Sequence, residues 1–83
     1  MIQLDDRILE FICEEGWSSP EIMAARPEFQ ASAAMINERC LWLASAGLIA
    51  PISGDLYELT TWGRLYLKGE IDAGHQPRPT QPV

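Results

Sequence analysis

The chain has 83 residues, a net charge of −6 at pH 7 and 47% hydrophobic residues. That is enough apolar material for one small globular domain and too much for a disordered chain. The acid excess argues against nonspecific nucleic-acid binding, which rests on Lys and Arg. No apolar run approaches the roughly 18 residues that a membrane span needs.

The start, MIQLDDRILE, has neither a basic segment nor a long apolar one, so a cytoplasmic protein is expected rather than a secreted one. Leu4, Ile8, Leu9, Phe11 and Ile12 recur at helical spacing and predict a first helix, with Asp5 or Asp6 as its cap. Gly16 suits the left-handed position just past its end. Trp17 reads as a hydrophobic plug. In SSPE, Ser19 is placed to cap a second helix over residues 20–26, with Pro20 in its first turn and Glu21 at the positive end of the dipole. Pro27 disfavours a helical Arg26, so the chain turns through RPEFQ, with Phe29 directed inward.

A third helix is predicted from Ala31 or Ser32 to Ala46. At about 100° per residue, Ile36, Cys40, Leu43 and Gly47 form the core stripe. Ala34, Asn37, Glu38, Leu41 and Ser45 lie on the far side, and Met35, Arg39 and Trp42 on a flank. GLIAPI and DLYEL, joined by Ser53 and Gly54, predict a β-hairpin over residues 48–59, in which Pro51 confines its strand to an edge. Thr60 or Thr61 then caps a fourth helix, TWGRLYLKGEI. Residues 1–73 make the domain, and 74–83 a Pro-rich mobile tail.

Two cysteines, Cys13 and Cys40, fall within apolar helical patterns and read as buried thiols in preference to a disulfide. With His75 the sole histidine and neither cysteine closely paired, no metal site is expected. No Gly-rich phosphate loop and no nucleophile beside a base is visible, so the reading is of a non-enzyme without cofactor or small-molecule substrate.

Three short helices, a two-stranded hairpin and a further helix are the order of an α+β winged helix-turn-helix, whose third helix is the recognition helix. Gly47, Leu48, Ile49, Tyr57, Leu59, Thr60, Gly63, Tyr66 and Leu67 match the pattern Gly-Leu-Ile, wing, Tyr-x-Leu-Thr-x-x-Gly-x-x-Tyr-Leu of many prokaryotic winged-helix regulators. With the opening DDRILEFICEEGWSSPEI, the tail and the acidic composition, the chain over residues 4–78 resembles haloarchaeal winged-helix proteins related to the repressor of a halophilic phage. The resemblance implies a dimeric transcriptional repressor that binds double-stranded DNA in a sequence-specific manner.

In that reading Gln30, Ser32, Ala34, Asn37, Glu38 and Arg39 face the major groove, and Ser53 and Gly54 form the wing tip. Arg26, Arg64 and Lys68 are the candidates for phosphate contacts. Gln30 and Asn37 carry amides able to pair with adenine, and Glu38 can accept from cytosine. Each has a plainer reading. The amides and Glu38 can be solvated, Ser32 can be a helix cap, and Arg39 can pair with an acid on a neighbouring element. Arg64 and Lys68 can balance Glu70 and Asp72. Leu41 and Trp42 either form an exposed interface or, for Trp42, fold back onto the domain. The alternative function is a winged helix for protein–protein contact or dimerisation, with little or no DNA binding.

Overall fold

The structure, a computed structural model, describes residues 2–69. The order is α1 (Gln3–Glu15), α2 (Pro20–Ala24), α3 (Ala33–Ser45), β1 (Ile49–Ser53), β2 (Leu56–Leu59) and α4 (Thr61–Leu67), an α+β arrangement with one antiparallel two-stranded sheet. Residues 70–83, which hold the expected tail, Arg78 and His75, lie outside the described residues.

Ile8, Leu9 and Ile12 of α1 are fully buried against Ile36, Cys40 and Leu43 of α3 and Leu48 and Ile49 of the hairpin. Full burial of one such aliphatic side chain contributes roughly 1.5–3 kcal/mol, so the three stripes meeting at one point make the core. The cap of α1 is Ile2, not an aspartate; Asp5 lies one turn in, and its carboxylate accepts the Ile2 N–H at 3.1 Å. The other helix starts follow their side chains. Ser19 accepts from the Ile22 N–H, Ser32 from the Met35 N–H and Thr60 from the Gly63 N–H. Each satisfies a backbone donor that the helix itself leaves unpaired.

Helix α3 ends where Gly47 turns left-handed at φ 83°. The Leu48 N–H reaches the Leu43 carbonyl and the Gly47 N–H that of Ala44, the paired bonds of a Schellman motif. This closure sends the chain directly into β1. Thr60 fastens the same corner, its hydroxyl donating to the Gly47 carbonyl at 2.6 Å.

The hairpin pairs Ile49 with Leu59, Ala50 with Glu58 and Pro51 with Tyr57, then shifts register so that Ser53 faces Leu56. The turn is Gly54–Asp55 rather than Ser53–Gly54, because Ser53 stays in the strand. Ser18 adds a third segment, exchanging both backbone bonds with Tyr57. Tyr57 therefore directs its N–H and C=O away from Pro51, and the absent proline N–H leaves no ladder bond unmade.

Several expectations are corrected. Trp17 is 50% exposed and plugs nothing; its neighbour Ser18 is the buried residue. Cys13 is exposed, and only Cys40 is a buried thiol. Helix α2 stops at Ala24, two residues early, and the Arg26–Phe29 turn brings Phe29 edge-on to Phe11 at 5.5 Å. Helix α4 ends at Leu67, because Gly69 is left-handed and its N–H closes onto the Tyr66 carbonyl.

Candidate nucleic-acid interface

Helix α3 packs on α1 and α2 through its core stripe and turns the opposite side to solvent. Ala34, Met35, Asn37, Glu38, Leu41, Trp42 and Ser45 are all exposed there. The Ser32 hydroxyl that caps the helix stands at its entrance. Two residues before it, Gln30 is exposed with φ +50°, a left-handed backbone in a residue other than glycine. Such a conformation costs of order 1 kcal/mol and re-aims the chain into the Ser32 cap.

Arg39 does not join this face. Its Nε donates to Asp5 Oδ1 at 2.8 Å and its Nη2 to Oδ2 at 2.6 Å, a two-pronged pair across the α1–α3 contact. Asp5 is fully buried, and the Arg39 side chain is only 23% exposed. The hydrogen bonds to Asp5 raise the guanidinium pKa further above its ordinary value, against the opposing effect of burial. The Arg39 guanidinium also lies 5.0 Å above the Trp42 ring. Of the two readings of Arg39, a residue facing the groove or an ion pair with an acid on a neighbouring element, the structure shows the second. Arg39 neutralises a buried carboxylate, and the charge-assisted fork leaves it committed to that partner.

The remaining cations divide in the same way. Arg26 is exposed but pairs with Glu28 at 3.5 Å and covers the Phe11 ring at 5.3 Å. Arg7 donates to the Glu28 carbonyl. Arg64 and Lys68 are exposed on α4 and, among the described residues, have no acidic partner within ion-pair distance. Arg26 and Arg39 are thus paired with carboxylates, while among the described residues Arg64 and Lys68 are not. Ser53 and Gly54 are exposed at the far end of the hairpin, beside the exposed Ile52 and Asp55.

Leu41 is 56% exposed, Met35 52% and Trp42 40%. Trp42 stays partly exposed, with the Arg39 guanidinium over its ring. Met35 shares this flank with Trp42 and has no part in the expected site. Its i, i+7 relation to Trp42 was the available signal. Asp5 was also missed as the partner of Arg39, since an acid in a first helical turn has a sufficient local explanation.

On the core side of α3, burial pushes the Cys40 thiol up to about 12, with the Asp5 charge adding to it. The Tyr57 phenol is raised chiefly by burial as well. Tyr66 donates to Asp6 at 2.7 Å, so adjacent aspartates of α1 hold α3 and α4 respectively. Among the described residues no helix is long and apolar enough to cross a membrane, and no group of three or more His, Cys, Asp or Glu could hold a metal ion.

No protein-family model and no curated protein matches the chain. Among solved structures it is similar to the crystal structure of the PhiH1 repressor-like protein from Haloarcula marismortui, with 41% sequence identity and a TM-score of 0.85. The match covers 88% of this chain and 83% of that one. Identity at this level, over nearly the whole of both chains and with the same path in space, places the sequence in a family: the chain belongs to the PhiH1 repressor-like proteins.

Proposed function

We propose that this chain is a sequence-specific DNA-binding transcriptional repressor built as a winged helix-turn-helix. Helices α2 and α3 form the helix-turn-helix, α3 enters the major groove and the β1–β2 hairpin is the wing. The observation that carries this reading is the 41% identity to a PhiH1 repressor-like protein across 88% of the chain.

In this reading Gln30 and Asn37 supply amides for adenine, Glu38 accepts from a cytosine amino group, and the small Ala34 lets the helix approach the bases closely. The Ser32 hydroxyl donates to a phosphate while its lone pair caps the helix. Ser53 and Gly54 meet the neighbouring backbone at the wing tip. Arg64 and Lys68 are the phosphate contacts, with Arg26 a weaker one because Glu28 opposes it. The protein works in the cytoplasm as a homodimer.

A second reading has an observation of its own. The solvent face of α3 carries Met35, Leu41 and Trp42 and no unpaired cation. That composition fits a protein contact better than a phosphate backbone.

The test is binding of the full chain to random and selected duplexes across a salt series. Enrichment of one sequence, with affinity that falls as salt rises, is expected. Undetectable binding to every pool at every salt concentration would sink the repressor reading and leave the protein-contact one.

A further inference from the structure

We infer that α3 selects A·T pairs by their thymine 5-methyl groups, with Ala34 and Leu41 meeting methyls on either side of an adenine held by Asn37. This rests on the DNA reading of α3 proposed above and adds the class of base pair that the helix selects.

What the face lacks sets the first limit. Guanine is most often read by a two-pronged Arg or Lys on its O6 and N7. Arg39 is the only cation in α3, and its Nε and Nη2 both donate to the buried Asp5. No cation is left on the helix for guanine. The exposed polar side chains of α3 are Asn37, Glu38 and Ser45. The Ser45 hydroxyl donates to the Trp42 carbonyl at 2.7 Å. Asn37 and Glu38 are then the polar readers, the amide suited to adenine N6 and N7 and the carboxylate to a cytosine amino group.

What the face has sets the second. At about 100° per residue, Ala34, Asn37 and Leu41 fall in one stripe about 60° wide. All three are exposed. Spacings of three and four residues put one apolar group about a turn before the amide and the other about a turn after it. A turn rises about 5.4 Å, and base pairs are about 3.4 Å apart. A helix lying along the groove therefore sets these side chains over pairs that adjoin the adenine or lie one beyond. Met35 and Trp42 lie about 140° or more around the helix from Asn37 and take no part.

The thymine methyl is the apolar feature of the major-groove edge. Leu41 against a methyl takes apolar surface from water on both sides. Leu41 against a cytosine amino group or a purine N7 covers a polar group and offers it no hydrogen bond. The same contact thus favours thymine and penalises the other bases. It needs no phosphate and no counterion release, which suits a helix without a free cation.

The full chain is used to select a duplex from a random pool, and each thymine of that duplex is then replaced singly by uracil. The replacement deletes the methyl and keeps the base pair. Affinity should fall roughly fourfold at each methyl that is met, the usual worth of one buried carbon group. The penalty should be the same at low and high salt, because a methyl displaces no ions. Leu41→Ala should abolish it at one thymine and Ala34→Gly at another. Circular dichroism shows that each variant is folded.

Uracil duplexes that bind as tightly as the thymine ones overturn the inference. Uracil penalties that both variants leave unchanged overturn it as well, since they come from the shape of the duplex and not from these side chains. In either case the selected duplex is still bound, and the DNA reading stands. A pool from which nothing is enriched overturns the DNA reading and this inference with it.

Discussion

Replacing Arg39 by Met tests whether the Asp5–Arg39 pair is structural. Met keeps most of the apolar stem and removes the fork. Asp5 is fully buried and keeps one further hydrogen bond, from the Ile2 N–H. Removing the cation from a buried pair typically costs about 3–5 kcal/mol, because the remaining charge is left uncompensated. Arg39 is 23% exposed, so water can partly replace it, and the lower end, about 3 kcal/mol, is expected. A domain of this size holds about 4–12 kcal/mol in all. The loss should lower the melting temperature by roughly 12–24 °C, taking about 4–8 °C per kcal/mol. Urea unfolding followed by tryptophan fluorescence measures it. The cause is separated by adding Asp5→Asn, which removes the charge but keeps an acceptor for Ile2. The double variant should recover at least half of the loss. Arg39→Met within about 1 kcal/mol of the native chain at neutral pH would refute the argument, since a surface ion pair contributes no more than that. A double variant no more stable than the single one would refute it equally.

Gly63→Ala should destabilise by about 1–3 kcal/mol or more, as overpacked cores do: a Cβ there would collide with the Leu48 carbonyl oxygen and lie 2.7 Å from Leu59 Cδ1. Chemical denaturation reads the loss, and a neutral outcome would mean that the α4–hairpin contact is loose. In the folded chain one thiol, Cys13, should react quickly with a disulfide reagent, and Cys40 only after unfolding. Stability should fall at alkaline pH. Above pH 9 the unfolded Cys40 thiol ionises while the folded one stays protonated up to about 12, and Tyr57, raised from 10.0, acts in the same sense. Proton binding is then greater in the folded state, so unfolding becomes easier as pH rises through that window, which a pH series of urea midpoints would show. Gln30→Gly should leave stability unchanged or raise it by up to about 1 kcal/mol, since glycine accepts the positive φ, while it lowers affinity for the selected duplex. Unchanged affinity would remove Gln30 from the base contacts.

Much of the fold was legible because its punctuation is local. Ser19, Ser32 and Thr60 each bond a backbone N–H three residues on, and Gly16 and Gly47 each sit where a helix must turn left-handed. Those decisions are made within one turn of chain, and one turn is what a sequence displays. The readings that failed depend on distance. Asp5 and Arg39 are 34 positions apart, and nothing near either one announces the other. Trp17 looked like a core residue because tryptophan usually is one, yet the Ser18–Tyr57 bridge turns its neighbour inward and leaves Trp17 outside. Cys13 shares a helical pattern with the core, but its position falls on the outer side of α1 beside Glu10 and Glu14.

The same pairing changes what an acidic composition means for a nucleic-acid binder. A net charge of −6 suggests repulsion from a phosphate backbone. Affinity, however, follows where free cations lie, since the salt-dependent part of binding counts neutralised phosphates. Arg26 and Arg39 are paired with the carboxylates of Glu28 and Asp5, and Arg7 donates to the Glu28 backbone carbonyl. Among the described residues Arg7, Arg64 and Lys68 have no carboxylate within ion-pair distance, and α3 keeps amides, a hydroxyl and apolar groups. On the proposed repressor reading, a protein so arranged gains little from generic backbone attraction and draws its affinity from base edges, helix N-termini and shape. Discrimination between right and wrong sequences is then large relative to total affinity, and binding tolerates salt better than that of a basic repressor. The acidity of the chain thus bears less on whether it can bind DNA than on which part of the binding energy remains.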